Sequence, residues 1–365
     1  MTSRVRLMGS GMLFWSFFSA LSGFAWSFPA FLITRVGVGI GEATLAPAAT
    51  SIISGLFPSE QRAKPTGIYM LGIPLGSLLA FTTVGAIAHH FNSWRAPFLL
   101  SFVPGIILAF LIFSLSGSIP GAPKKESLTI KRPFRAIFAV PTFWSIALAG
   151  IACSFVTFGT NAFLVPLLQR HFGVNLQQAG MYTGLIVGVT GLIGLTAGGW
   201  IADNLQASYR RGRILMAAFS FIASAALIVC ALLVSVEHVQ LFVALFALGW
   251  LLQFPLYVCL YPALHDVIPA ELRATSMSMF ISASTLIGGS LGPVAVGLLS
   301  DHFALKAQLA ANSPTMEEVF RAAGLHAALG IIPIALLCAS AATFFAAWKF
   351  VKDADKLRSA EQIAR

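Results

Sequence analysis

Residues 213–262 read RILMAAFSFIASAALIVCALLVSVEHVQLFVALFALGWLLQFPLYVCLYP, two apolar runs parted by the short polar step Ser235-Val-Glu-His238. After Arg213 the stretch holds a single carboxylate, Glu237, and no Lys or Arg. Each run reaches the ~20 residues that cross a hydrocarbon core, so the segment predicts two membrane spans joined by a tight loop. Inside lipid every backbone amide must find an internal partner, which makes such spans helices.

The pattern repeats outward in both directions. Apolar runs at about 7–26, 29–56, 65–88, 97–117, 141–168, 178–202, 213–235, 239–262, 274–300 and 323–350 predict an all-α membrane protein of about ten transmembrane helices. Composition agrees: the 365 residues are 57% hydrophobic and 10% charged, with a mean hydropathy of +0.84. A soluble domain carries about 25% charged residues. The first run has no small-residue cleavage site and leads straight into a second span, so it reads as a span and not as a signal peptide.

A net charge of +10 raises the question of a nucleic-acid partner. With ten spans both termini share one side, and that side collects 18 of the 23 Lys and Arg residues. Arg95, Arg170, Lys306 and Arg321 fall on the other, and Arg35 lies within a span. This is the positive-inside bias, so the charge orients the chain, with both termini cytoplasmic, and does not call for nucleic acid. Short loops and the lack of an Asn-x-Ser/Thr sequon suit a bacterial inner membrane. Cys153, Cys230, Cys259 and Cys338 have no metal-ligand spacing and read as small buried hydrophobes.

A polar, Pro- and Lys-rich stretch at 118–140 separates four spans from six, giving an N-terminal bundle (1–117), a linker (118–140), a C-terminal six-helix bundle (141–352) and a tail (353–365). The two bundles look like copies of one unit. Pro58-Ser59-Glu60-Gln61-Arg62-Ala63 matches Pro269-Ala270-Glu271-Leu272-Arg273-Ala274, and each leads into a small-residue motif, Gly72-x-x-x-Gly76 and Gly288-x-x-x-Gly292. Arg4-x-Arg6 matches Arg211-x-Arg213 in nearly the same register. Such repeats are usual in secondary transporters. The register implies a further helix pair before the first span, roughly 60–70 residues. Without that pair the glycines Gly37, Gly39, Gly41, Gly72 and Gly76 are expected to lack their neighbour, and coupled transport to be lost.

Gly199-Trp-Ile-Ala-Asp-Asn-Leu205 followed by Arg210-Arg211-x-Arg213 resembles the signature loop of the major facilitator superfamily, in its second-half copy. Arg35 followed by Gly37, Gly39 and Gly41 resembles that family's fourth-helix motif. Within the superfamily, Arg35 to Ala43, Pro47-Ala48, Phe57-Pro58, Tyr69, Ile73-Pro74-x-Gly76-Ser77, Trp94-Arg95 and Pro104-Gly105 are most similar to the spinster branch. The resemblance implies a helical bundle of the major-facilitator type, missing its first two helices. It implies transport by alternating access, of a small organic or amphipathic solute, with lysolipid- or sphingolipid-like cargo as an alternative.

Glu42 is the leading functional residue. An ionised carboxylate within a span is costly unless it is paired, hydrated or protonated, which makes it either a proton carrier or a packing group held by a partner. Arg35, seven residues earlier, could hold an anionic part of the solute or balance Glu42; it could also snorkel to the outer leaflet. Ser154, Thr157 and Asn161 share one face of their span, and Trp250, Gln253, Tyr257 and Tyr261 recur at mostly i, i+4 steps. The resemblance puts these helices on a central cavity, so Asn161, Gln253, Tyr257 and Tyr69 are expected substrate contacts. Interhelical hydrogen bonding is the plainer alternative. Asp203 with Arg211 and Arg213, and the repeat-related Glu60, Arg62, Glu271 and Arg273, are expected to latch a gating loop.

No catalytic constellation, cofactor motif or metal site is expected. Gly37-x-Gly39-x-Gly41 has the wrong spacing for a dinucleotide loop and lies within a span. An enzyme would need a convergent set of reactive groups, whereas Arg35 and Glu42 share one helix. A channel or a non-transporting remnant stand as rivals. The expected partners are a small-molecule solute and the lipid bilayer, with the chain a monomer.

Overall fold

The computed structural model describes residues 4–57, 63–114 and 133–364, and every regular element among them is a helix. Eight stretches are long and apolar enough to cross a membrane among the described residues: Gly67–His90, Ala96–Ser114, Pro141–Phe172, Leu176–Ser208, Gly212–Leu232, Val236–Asp266, Thr275–Ala310 and Glu318–Leu357. The two remaining expected spans are helical as well. α1 (Arg4–Ser22) is diluted by two arginines and several Ser and Gly residues. The 29–56 span is divided into α2 (Phe28–Glu42) and α3 (Leu45–Leu56). The division has a local cause: the Thr44 N–H (3.2 Å) and hydroxyl (2.8 Å) both donate to the Gly41 carbonyl, and such back-bonding bends helices. An all-α membrane bundle is therefore borne out.

The chain divides into two compact units, Met1–Ile73 with Thr82–Ser127, and Pro74–Phe81 with Leu128–Arg365. Of the expected linker, residues 118–132 lie outside the described residues. In the first unit α1 packs against α2 and against α7 (Phe102–Ser114), which follow α4 (Ala63–Met70), α5 (Gly72–His90) and α6 (Ala96–Leu100). Glycines set these crossings. A Cβ on Gly41 would lie 2.6 Å from the Trp15 Cβ and 3.0 Å from the Gly11 carbonyl oxygen, and one on Gly37 would strike the Phe18 ring. Two of the five glycines expected to lack a neighbour are thus taken up by α1; Gly39, Gly72 and Gly76 meet nothing within 4 Å.

The second unit is built on α9 (Pro141–Phe172), which follows the short α8 (Pro133–Phe138). Around it stand α10 (Leu176–Gly184), α11 (Thr190–Ser208), α12 (Gly212–Leu232), α13 (Val239–Leu251), α14 (Tyr261–Asp266), α15 (Arg273–Ala283), α16 (Ser290–Ala310), α17 (Glu318–Ala328) and α18 (Ile331–Ala364). Its core includes Ile146, Leu164, Phe221, Phe242, Phe246 and Phe280, all buried. Gly288 and Gly292 press against the α9 backbone at Ile151 and Phe155, the close approach that small residues permit between membrane helices. Hydroxyls add cross-links, Ser224 to the Gly249 carbonyl (2.7 Å) and Ser340 to the Ala218 carbonyl (2.8 Å). Cys153 and Cys259 are buried, but Cys230 and Cys338 are exposed, because they sit on outward helix faces beside residues such as Val229 and Leu337. Many large apolar side chains face outward, Trp26, Leu233 and Trp348 among them, as a lipid-facing surface requires.

Candidate functional site

In the first unit Arg35 is clasped by aromatic rings. Its guanidinium carbon lies 5.3 Å from the Phe31 ring and 5.2 Å from the Phe98 ring, within cation–π range of both. Phe31 sits one turn before Arg35 on α2; Phe98 comes from α6, and Trp94 completes the ring cluster. One Nη2 donates to the Ser22 hydroxyl, whose own proton has the Phe18 carbonyl (3.0 Å) and the Thr34 hydroxyl (2.8 Å) as targets. The Arg35 Nε is buried and unpartnered, and no carboxylate among the described residues lies within ion-pair distance. Glu42 is the last residue of α2, at the bend and exposed, two turns from Arg35. Tyr69, on α4, is half-buried.

The second unit offers neutral polar groups instead. Gln253 is only 6% exposed, yet neither its Nε2 nor its Oε1 has a partner. The Asn161 Oδ1 and the hydroxyls of Thr160, Thr183 and Ser284 are likewise buried and unpartnered. Buried polar groups are nearly always satisfied, so these exceptions are unusual within one unit. Gln253 lies where its span is interrupted. α13 ends at Leu251, Pro255 supplies no N–H, and a π turn runs from Leu256 to Leu260. Similar π turns at Leu185–Val189 and Ser284–Gly289 open two other spans, and such turns favour functional positions. Tyr257 follows within the turn and meets Tyr261 edge to face (5.3 Å), and Tyr261 in turn meets Phe280 edge-on.

A model of the Major Facilitator Superfamily matches residues 2–293. The chain belongs to the Major Facilitator Superfamily. Its curated relatives include an MFS-type efflux pump of Mycolicibacterium smegmatis, 29% identical over 79% of this chain and 66% of that protein. Protein spinster of Drosophila melanogaster is 28% identical over 82% of this chain and 51% of its own length. The chain thus spans between half and two thirds of these relatives. A crystal structure of a bacterial homolog to the human lysosomal transporter Spinster, inward-facing and unoccupied, superposes with a TM-score of 0.79 at 25% identity, covering 97% of this chain and 85% of that one. The protein is a spinster-like, multi-pass member of a superfamily of transporters, not of enzymes. Among the described residues no group of three His, Cys, Asp or Glu side chains could hold a metal ion.

The loop resembling the superfamily's signature keeps one expected contact and gains another. Asp203 pairs with Arg213 (2.8 Å), but Arg210 pairs with Asp355 on α18, and Arg211 makes no ion pair among the described residues. Arg273 turns its Nε to the His265 (3.0 Å) and Ile268 (3.3 Å) carbonyls, bracing a loop, while Glu271 is exposed. Glu60 and Arg62 lie outside the described residues. Ser22, Phe98 and Asp355 were missed by sequence reasoning. Phe31 alone carried a local signal, an aromatic residue four before a membrane arginine.

Proposed function

We propose that this chain is the body of a secondary transporter that moves a small organic solute with an anionic group, by alternating access and coupled to protons. The observation that carries this reading is Arg35, a guanidinium within a membrane span that has aromatic and hydroxyl neighbours but, among the described residues, no carboxylate within ion-pair distance. An ionisable group within a membrane span marks a ligand or ion pathway by default. Glu42 is the proton carrier in this reading, and Asn161, Gln253, Tyr257 and Tyr69 contact the solute. Asp203 with Arg211 and Arg213, and Glu60, Arg62, Glu271 and Arg273, belong to the gating loops, on the cytoplasmic side with both termini. The protein acts as a monomer in a bacterial inner membrane.

A lysolipid- or sphingolipid-like cargo is the second reading, favoured by the spinster likeness and by the rings around Arg35, which suit an anionic headgroup attached to a chain. The test is solute-driven proton movement in proteoliposomes, read with a pH dye in the lumen, using lysophosphatidic acid and glucuronate as probes. A signal from either, lost in Arg35→Ala, supports the proposal; a signal that Arg35→Ala leaves intact sinks it.

A further inference from the structure

The end of the second unit away from Asp203 holds a group of titratable residues that the proposed transport cycle does not use. His171, in the last turn of α9, stacks on His326 of α17 with centroids 4.2 Å apart and planes 10° from parallel. The His326 Nε2 lies 2.8 Å from the Leu232 carbonyl at the end of α12. A carbonyl only accepts, so that nitrogen carries the hydrogen and Nδ1 is left with its lone pair. Beside the stack, Arg170 Nε meets Glu318 Oε1 at 2.8 Å, and Arg321 Nη1 lies 3.8 Å from the other oxygen of Glu318. Arg170 and Arg321 also line a cavity of about 370 Å³ with Ser300 and Asp301, so water reaches this end of the unit.

We propose that the His171–His326 pair is a proton-operated clasp, holding α9 to α17 while at most one ring is protonated and parting when both are. One imidazolium facing a neutral ring is tolerated. Two imidazolium rings at this separation are like charges in contact, and Arg170 and Arg321 bring two further positive charges to the same junction. Glu318 opposes them, together with Glu317 before α17 and Asp301 on α16. The other titratable groups on the elements packed here are His302 and Lys306 on α16, and Glu237 and His238 just past α12. The sign follows from linkage: the parted arrangement binds more protons, so falling pH favours it and rising pH restores the clasp. Because the two rings join the ends of three helices, their parting loosens one end of the unit without touching Arg35 or Gln253.

The test is hydrogen exchange at the amides of Glu318–Ala328 in the full chain in lipid nanodiscs, from pH 8 to pH 5, corrected for intrinsic exchange. Opening of wild-type α17 should rise about tenfold across that range. His171→Asn should remove the rise, and Glu318→Gln should move its onset to higher pH. Opening that is independent of pH in the wild type, a rise that survives His171→Asn, or an onset unmoved by Glu318→Gln would each overturn the proposal. Should His171→Asn fail to fold, the wild-type profile and the Glu318→Gln shift decide.

Discussion

Asp353 on α18 accepts both the backbone N–H (3.1 Å) and the hydroxyl (2.6 Å) of Thr142, through the same Oδ2. Thr142 is the second residue of α9, so a carboxylate 211 positions away in sequence caps the central helix of the unit at its positive end. Asp353→Ala should destabilise the protein by about 1 kcal/mol, and Thr142→Val should add little once Asp353 is gone. Thermal unfolding of both variants and the double variant in detergent measures this.

The Asp203–Arg213 pair should contribute no more than that. Arg213 is largely buried, but Asp203 is mostly exposed, so water screens the pair from the carboxylate side, and such pairs contribute roughly 0–1 kcal/mol. A double-mutant cycle with Asp203→Asn and Arg213→Gln should give a coupling below about 1 kcal/mol, while single variants alter transport. Coupling well above that value would mean the pair is a fold determinant and not a gate.

Packing glycines should separate sharply. A Cβ on Gly292 would stand 3.0 Å from the Gly159 nitrogen and 3.1 Å from the Phe155 carbonyl carbon, backbone atoms that cannot swing aside. Gly292→Ala should cost about 1–3 kcal/mol. Gly39→Ala, where nothing lies within 4 Å, should be tolerated. Melting temperatures in one detergent compare the two directly.

Glu42→Gln should abolish uptake driven by a pH gradient and leave counterflow largely intact, because exchange does not require the carboxylate to release its proton. Matched uptake and counterflow assays in proteoliposomes check this. Unchanged pH-driven uptake would return Glu42 to a packing role.

Orientation can be read by labelling. Cysteines at positions 124 and 356, in a cysteine-free background, should resist membrane-impermeant maleimide in intact cells and react after lysis. Reaction in intact cells would reverse the charge-based assignment.

The spans were legible because each is a local run of apolar residues, and Arg35 and Glu42 stood out as charges inside such a run. The surroundings of Arg35 were not: Ser22 and Phe98 lie on other helices, and only tertiary packing brings them to it. The π turns escaped for a related reason, since one extra residue per turn leaves no mark on hydropathy. Gly39 and Gly41 look alike in sequence, yet only Gly41 is pressed by a neighbour, because α1 passes one face of α2 and not the other. Asp353 and Asp355 read as tail charges until α18 proved to run on as one helix to Ala364.

That unbroken run makes α18 a mast. Its 34 residues measure about 50 Å at 1.5 Å each, against ~30 Å of hydrocarbon, so its far end stands well clear of the apolar layer. Asp355 lies 24 residues beyond Ile331 (355 − 331), or about 36 Å from the joint at Gly330. Ser340 bonded to the Ala218 carbonyl and Asp353 bonded to Thr142 fix the helix to α12 and α9 along its length, so Asp355 is held at a set height. The Arg210–Asp355 ion pair therefore moors the loop after α11 to a post that the rest of the unit holds upright.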